Sequence, residues 1–240
     1  MDKNGVSVLF SGGSDCTLAA ALLADRFKKI HLLTFKFSGV VEPEMTEVSR
    51  MRLQNKFPDV QFIHQLIDTD TLFKSLYLGK YWADFRKYGL FIGNVCATCK
   101  LAMFTAALKY NVENDIHYIA SGVNERSGII FIDQNAYSIE QLNSFFEKYG
   151  SKYLTPSYKI RRTDWKLFEM GVTPHKDVKL TDQAYANQPG CYFGYMFSIY
   201  AHGYFLPFRG KKKYDEISRR YFDEKLTLCD RYLQENISKK

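Results

Sequence analysis

The chain has 240 residues, 46% hydrophobic and 25% charged, the make-up of a globular protein of one domain or of one domain with a small appendage, and no apolar run approaches membrane-span length. A net charge of +7, from 33 Lys and Arg against 26 Asp and Glu, permits RNA and other polyanions as partners but equally favours ATP and anionic small molecules. Apolar residues begin almost at the N-terminus, leaving no room for a signal peptide, so the chain is expected to be cytoplasmic, where its five cysteines suit metal, cluster or redox chemistry rather than a disulfide scaffold.

Residues 6–10 read as a strand and 17–27 as a helix, and between them stands Ser11-Gly12-Gly13-Ser14-Asp15-Cys16. A strand, a turn of small residues and a helix N-terminus make an anion cradle. The glycines let the backbone bend and approach a phosphate, and the unpaired amides of the first helical turn point at it. The competing account is an ordinary strand-to-helix turn. A second strand is expected at 30–37, a helix at 42–56 carrying Met45, Val48, Met51 and Leu53, and a third strand at 60–64. Residues 68–88 are aromatic and mixed in charge, 89–99 form a loop, and 100–110 a helix. The fourth strand, 116–120, runs into a polar loop over 121–128, where Asn124 and Glu125 either face a ligand or simply build the turn.

Next come a helix at 138–149, an extended stretch at 153–158 and a capped helix at 161–172 that ends on a glycine. From 188 onward the sequence reads as a helical region rich in Tyr and Phe. The alternation of strands and helices predicts an α/β fold with a doubly wound, mostly parallel sheet and a ligand beyond the carboxyl ends of its strands. The organisation expected is an ATP-binding domain over 1–187 with a C-terminal helical region, 188–240, packed on it.

The hexapeptide from Ser11 to Cys16 resembles the Ser-Gly-Gly-x-Asp-Ser loop of the PP-loop ATP pyrophosphatases, with Cys16 where that family usually has Ser. It lacks the Walker Lys. The resemblance implies that Ser11, Gly12, Gly13, Ser14, Asp15 and Cys16 hold the ATP pyrophosphate, with Asp15 beside the phosphates and Mg2+. It also implies that Phe35, Lys36 and Phe37 neighbour the adenine, and that Ser121 and Gly122 close over the nucleotide. ATP would be cleaved between its α and β phosphates: a carbonyl or carboxylate oxygen takes the adenylyl group, and ammonia, sulfide or an amine displaces AMP. A thiol donates a weaker hydrogen bond than a hydroxyl, and at a helix N-terminus its pKa can fall, so Cys16 reads either as a Ser replacement or as a reactive thiol.

Cys96 and Cys99 form a C-x-x-C ahead of the helix expected at 100–110, and Cys191 follows late in the chain. The spacing lets two thiolates converge on one metal. The arrangement resembles the tRNA 2-thiocytidine synthetase branch of the PP-loop enzymes, which implies a [4Fe-4S] cluster on Cys96, Cys99 and Cys191 with one iron open to carry sulfide. The alternatives are Zn2+ completed by His175 or His202, a thiol relay, and isolated buried cysteines; Cys229, among leucines, reads as core. His31 and His64 lie in strand-like stretches and read as satisfied core residues. The aromatic series Tyr192, Phe193, Tyr195, Phe197, Tyr200, Tyr204 and Phe205 reads chiefly as packing, with base stacking as the alternative. The basic segments 209–213, 219–220 and 239–240 read as a solvated helix face or one turned to RNA.

Together these features lead with an ATP-dependent enzyme that adenylates an oxygen of a nucleobase-like small molecule or RNA acceptor, releases pyrophosphate and substitutes sulfur at the cysteine site. A second reading is a relative of 7-cyano-7-deazaguanine synthase, which takes a carboxylate toward amide and nitrile with ammonia; it ranks second because the closely spaced late zinc cysteines of that enzyme are absent. A third is a nucleotide-binding module without turnover. The expected partners are ATP, the acceptor and a sulfur or ammonia donor, with a homo-oligomer allowed and no membrane.

Overall fold

A computed structural model of the chain describes residues 5–38, 40–41, 45–89, 95–176 and 190–237. At its centre is β1 (Val6–Leu9), a wholly buried run, hydrogen-bonded in parallel to β2 (Lys29–Lys36) on one side and, across the sheet, to β5 (Tyr118–Ser121). A parallel strand covered on both faces must be apolar throughout, which is why residues 6–10 stood out. β3 (Val40–Val41) lies outside this sheet, and β4 (Gln61–Asp68) and β6 (Lys152–Leu154) complete it in the all-parallel order β4-β2-β1-β5-β6. The doubly wound α/β expectation holds. A second, two-stranded antiparallel ribbon joins β3 to β7 (Gly190–Cys191), pairing Val40 with Cys191. This ribbon carries Cys191 from late in the chain to the carboxyl end of β2.

The helices divide between two cores. On one face α1 (Ser14–Leu23) and α2 (Thr46–Lys56) pack with Val6, Val8 and Phe62. On the other, α3 (Asp70–Tyr77), α4 (Tyr81–Tyr88), α5 (Val95–Glu113) and α6 (Ala136–Glu147) pack with Leu9, Leu33 and Phe35. The short α7 (Thr163–Glu169) returns to the first face through Leu167. The C-terminal α8 (Tyr192–Tyr200), a π turn over Ala201–Phe205 and α9 (Leu206–Ile237) join the second core through Phe197, Phe205, Tyr221 and Phe222. Gly210, at φ +77°, marks a kink inside α9. The expected boundary between 187 and 188 lies outside the described residues, as do Lys239 and Lys240.

Several expectations are corrected. Cys96 and Cys99 do not precede a helix; they sit in the first turns of α5, because the sequence from Val95 to Cys99 contains no breaker and cysteine packs as a small hydrophobe. The third strand continues to Asp68, its polar residues Gln65 and Asp68 having masked it. Residues 68–88 resolve into α3 and α4, and residues 42–44 of the expected 42–56 helix lie outside the described residues. Cys229 is buried in the core, as read. On the exposed basic stretch of α9, Lys211 pairs with Asp215 and Lys213 with Glu216. Phe197 and Phe205 are buried packing residues while Tyr195 stands exposed; the side chains of Tyr192 and Phe193 lie outside the described ones. No helix among the described residues is long and apolar enough to cross a membrane.

Candidate functional site

The turn after β1 is held open by its own backbone. Gly12 adopts φ +72°, a conformation costly for any residue with a Cβ, and its carbonyl is taken up by Thr17 Oγ1 at 3.3 Å and Ser49 Oγ at 2.8 Å. With that carbonyl tied to α1 and α2, the amides that open α1 remain as the polar lining of the turn. Cys16 stitches the turn together: its thiol donates to Gly13 O at 3.1 Å and its sulfur accepts from Ser11 N at 3.3 Å. Burial pushes the Cys16 thiol up from its ordinary pKa. Desolvation here acts against a thiolate, which favours the Ser-replacement reading of Cys16.

The segment after β5 closes on this turn from the other side. A Cβ on Gly122 would lie 2.2 Å from Cys16 N and 2.3 Å from Asp15 C, so only glycine lets the two backbones meet. Ser121 is fully buried and its hydroxyl bonds Tyr153 OH at 2.5 Å, which directs it into the core. Below the turn, Thr34 Oγ1 bonds Phe10 O and His64 Nε2, both at 2.8 Å, while His64 Nδ1 meets Glu47 Oε2 at 3.2 Å. His31 Nδ1 bonds Tyr110 OH at 2.8 Å, so both strand histidines are satisfied as read.

One cavity of 440 Å³ gathers most of the residues singled out in the sequence. Ser11, Gly13, Ser14, Asp15, Cys16, Phe35, Phe37, Gly122, Cys96, Cys99 and Cys191 all line it. Gly12, Lys36 and Ser121 are not in the lining. Sequence reasoning missed Thr34, Lys100, Met103, Phe131, Asp133 and Gln134, which complete it. A second, more open cavity shares Asp15 and Phe131 with the first and is lined by Arg126, Arg161, Arg162 and His202. Arg162 stacks over Trp165 at 4.2 Å, and Thr163 Oγ1 reaches Ser14 Oγ at 3.3 Å, joining α7 to the turn. Asn124 builds the turn beside this cavity, accepting from Arg126 N at 3.0 Å.

Cys96, Cys99 and Cys191 share the cavity, as expected of neighbours from the sequence. Among the described residues no group of three His, Cys, Asp or Glu is placed to hold a metal ion. His202 lines the second cavity. Burial is the main cause that drives Cys99 well above its ordinary pKa, and Cys96 is raised by burial and by nearby Asp133. Cys191, the third thiol of the lining, is exposed, whereas Cys99 is buried and Cys96 half-buried.

The sequence profile of the family described as "Queuosine biosynthesis protein QueC" matches residues 5–191. The chain belongs to the QueC family. That family comprises 7-cyano-7-deazaguanine synthases of the PP-loop superfamily, ATP-using enzymes, and it is the branch that the sequence placed second, behind the sulfur transferases. The match starts just before β1 and ends at Cys191, so it spans the turn, the cavity and the ribbon that closes it. No curated protein matches the chain. Among solved structures it is similar to one described as a predicted subunit of tRNA methyltransferase from Methanocaldococcus jannaschii, at 21% identity over 64% of this chain and 69% of that one, with a TM-score of 0.46.

Proposed function

We propose that the protein converts the carboxylate of a 7-deazaguanine-type base to a nitrile, using ATP for activation and ammonia as the nitrogen source. The observation that carries this reading is the single cavity in which the phosphate-type turn meets an aromatic slot with buried polar groups, in a chain of the QueC family. The 1–187 portion acts as the ATP-binding domain and 188–240 as its helical cover, and the setting is cytoplasmic.

The amides of the turn receive the β and γ phosphates, and Phe35 and Phe37 flank the adenine. Asp15 is the residue that would hold Mg2+, and one carboxylate suffices because that ion takes most of its ligands from phosphates and water. When bound it neutralises charge on the phosphates. The substrate carboxylate attacks the α phosphorus, the α–β bridge breaks and pyrophosphate leaves toward the cavity of Arg126, Arg161 and Arg162. Ammonia then attacks the acyl adenylate, expelling AMP and losing a proton to give the amide. A second ATP adenylates the amide oxygen, releasing pyrophosphate, and loss of AMP and of both amide protons leaves the nitrile. Both carboxylate oxygens thus depart in AMP.

The test supplies ATP, ammonium and 7-carboxy-7-deazaguanine labelled with ¹⁸O in its carboxylate. The expected result is a nitrile with two labelled AMP molecules per product, abolished in Asp15→Ala. A thiolated product formed from sulfide, or ATP binding with no pyrophosphate released, overturns the reading.

A further inference from the structure

Asp133 has no role in the steps above, yet it is the most unusual group in the cavity. Only 4% exposed, it lies on a helical turn over Ile132–Gln134 and lines the cavity together with the phosphate-type turn. Among the described residues its carboxyl has no hydrogen-bond partner except its own backbone amide, and no ion pair within 4.0 Å. Burial pushes the Asp133 carboxyl above its ordinary pKa, and Lys100, in the same lining, opposes that through space without closing a salt bridge. Burying a carboxyl with so few partners is costly, and proteins retain such groups where a ligand brings the missing donors.

The support beneath Asp133 is firm. Ser138 Oγ donates to Ile132 O, Asn135 caps α6 by accepting from Ser138 N at 2.9 Å, and Gln134 Oε1 accepts from Asn124 N at 3.0 Å. The turn is thereby tied on both flanks, which holds the carboxyl in one orientation. Around it the walls are flat or apolar: Phe131, Phe37 and Met103. A planar ring between such walls can present only its edge to Asp133. The edge that matches a carboxylate is one with two adjacent donors, a ring N–H beside an exocyclic amine, because the two oxygens accept in parallel.

We propose that Asp133 is the specificity-determining residue for the acceptor, accepting the ring N–H and the exocyclic amine of an aminopyrimidinone edge. This rests on the deazaguanine reading of the same cavity. A site built around a buried acceptor rejects an analogue lacking the donor, because the carboxylate is then left unsatisfied.

The experiment compares two acceptors, the 7-carboxy-7-deazaguanine and its analogue with hydrogen in place of the exocyclic amine, in the wild type and in Asp133→Asn. The wild type is expected to favour the amine-bearing acceptor by about 100-fold in kcat/KM, chiefly through KM. Asp133→Asn is expected to lose most of that preference while binding a non-hydrolysable ATP analogue as tightly as the wild type. Calorimetric binding of 7-deazaguanine against 7-deazahypoxanthine to the wild-type protein tests the preference without turnover and without any variant. Nitrile formation with no preference for the amine overturns the Asp133 assignment and leaves the activity standing. A retained preference with no nitrile supports Asp133 and overturns the activity.

Discussion

Two residues at the turn are fixed by distances that make their replacement informative. Gly122 faces the backbone at Cys16 N, and an added Cβ at 2.2 Å would meet main chain that has nowhere to yield. Gly122→Ala should therefore push the turn away from β5, lowering ATP-analogue affinity and pyrophosphate release by more than tenfold and costing about 1–3 kcal/mol in urea unfolding, as overpacking does. Cys16 is the contrasting case. Its sulfur makes three contacts with its own loop, at 3.1, 3.3 and 3.5 Å, and Ser can make the same set with a smaller, stronger hydroxyl. Cys16→Ser should keep or raise the rate of pyrophosphate release, whereas Cys16→Ala, which removes all three contacts, should lower it. A slow Cys16→Ser would show that the sulfur does more than tie the loop. Alkylation followed by peptide mapping checks the thiol directly: exposed Cys191 should react first, and Cys16, raised by burial, should stay unmodified in the folded protein.

Among the elements, α9 is anchored by an ion pair that sequence periodicity could not reveal. Lys225, 1% exposed, donates at 2.6 Å both to Asp84 Oδ2 on α4 and to Leu76 O on α3. Such a pair stabilises little against an apolar replacement, but removing one member leaves a buried charge alone. Lys225→Ala should destabilise by about 3–5 kcal/mol in urea unfolding, while Lys225→Met combined with Asp84→Leu should cost far less. At the end of β2 a different tie responds to pH. The Lys74 ammonium and the Ser38 hydroxyl hold Asp70 down at about 2, so its contribution is complete above the ordinary carboxylate range and is lost as pH falls through about 2. An NMR titration of the Asp70 carboxyl checks this, and a midpoint near the ordinary value would show that the tie is absent in solution. These examples also mark what the chain discloses before it folds. β1, the turn and the carboxyl-end position of the cavity were legible because a buried parallel strand is apolar throughout and glycines punctuate the turn. Asp133 was not, because a single helical turn has no period, and Lys100 looks like any helix surface lysine until Cys99 and Asp133 surround it. Cys96, Cys99 and Cys191 were legible as neighbours, since spacing governs which thiols can meet but not the geometry in which they do.

At the scale of the whole molecule, the cavity is assembled from everything the fold brings together. The turn belongs to the face that packs α1 and α2, Phe35 and Cys99 to the opposite core, and Cys191 to the ribbon that ties the C-terminal helices to the end of β2. A ligand filling that cavity therefore touches both cores at once, and its binding energy should be shared by both. The two tryptophans report on this separately, Trp82 standing on α4 beside the second core and Trp165 on α7 over the first. With Trp82→Phe and Trp165→Phe used to assign the signals, thermal unfolding should show coincident midpoints for the two reporters. A non-hydrolysable ATP analogue at a hundred times its dissociation constant should then raise both together, by the equivalent of about 2.7 kcal/mol. If the two cores melted independently, the Trp82 transition would separate from that of Trp165, and the analogue would not raise both midpoints together. Coincident, jointly shifted transitions are the expected outcome, because Phe197, Tyr221 and Phe222 share one buried cluster with Leu9 and Leu33 of the central sheet, and no boundary within that cluster could let one part melt first.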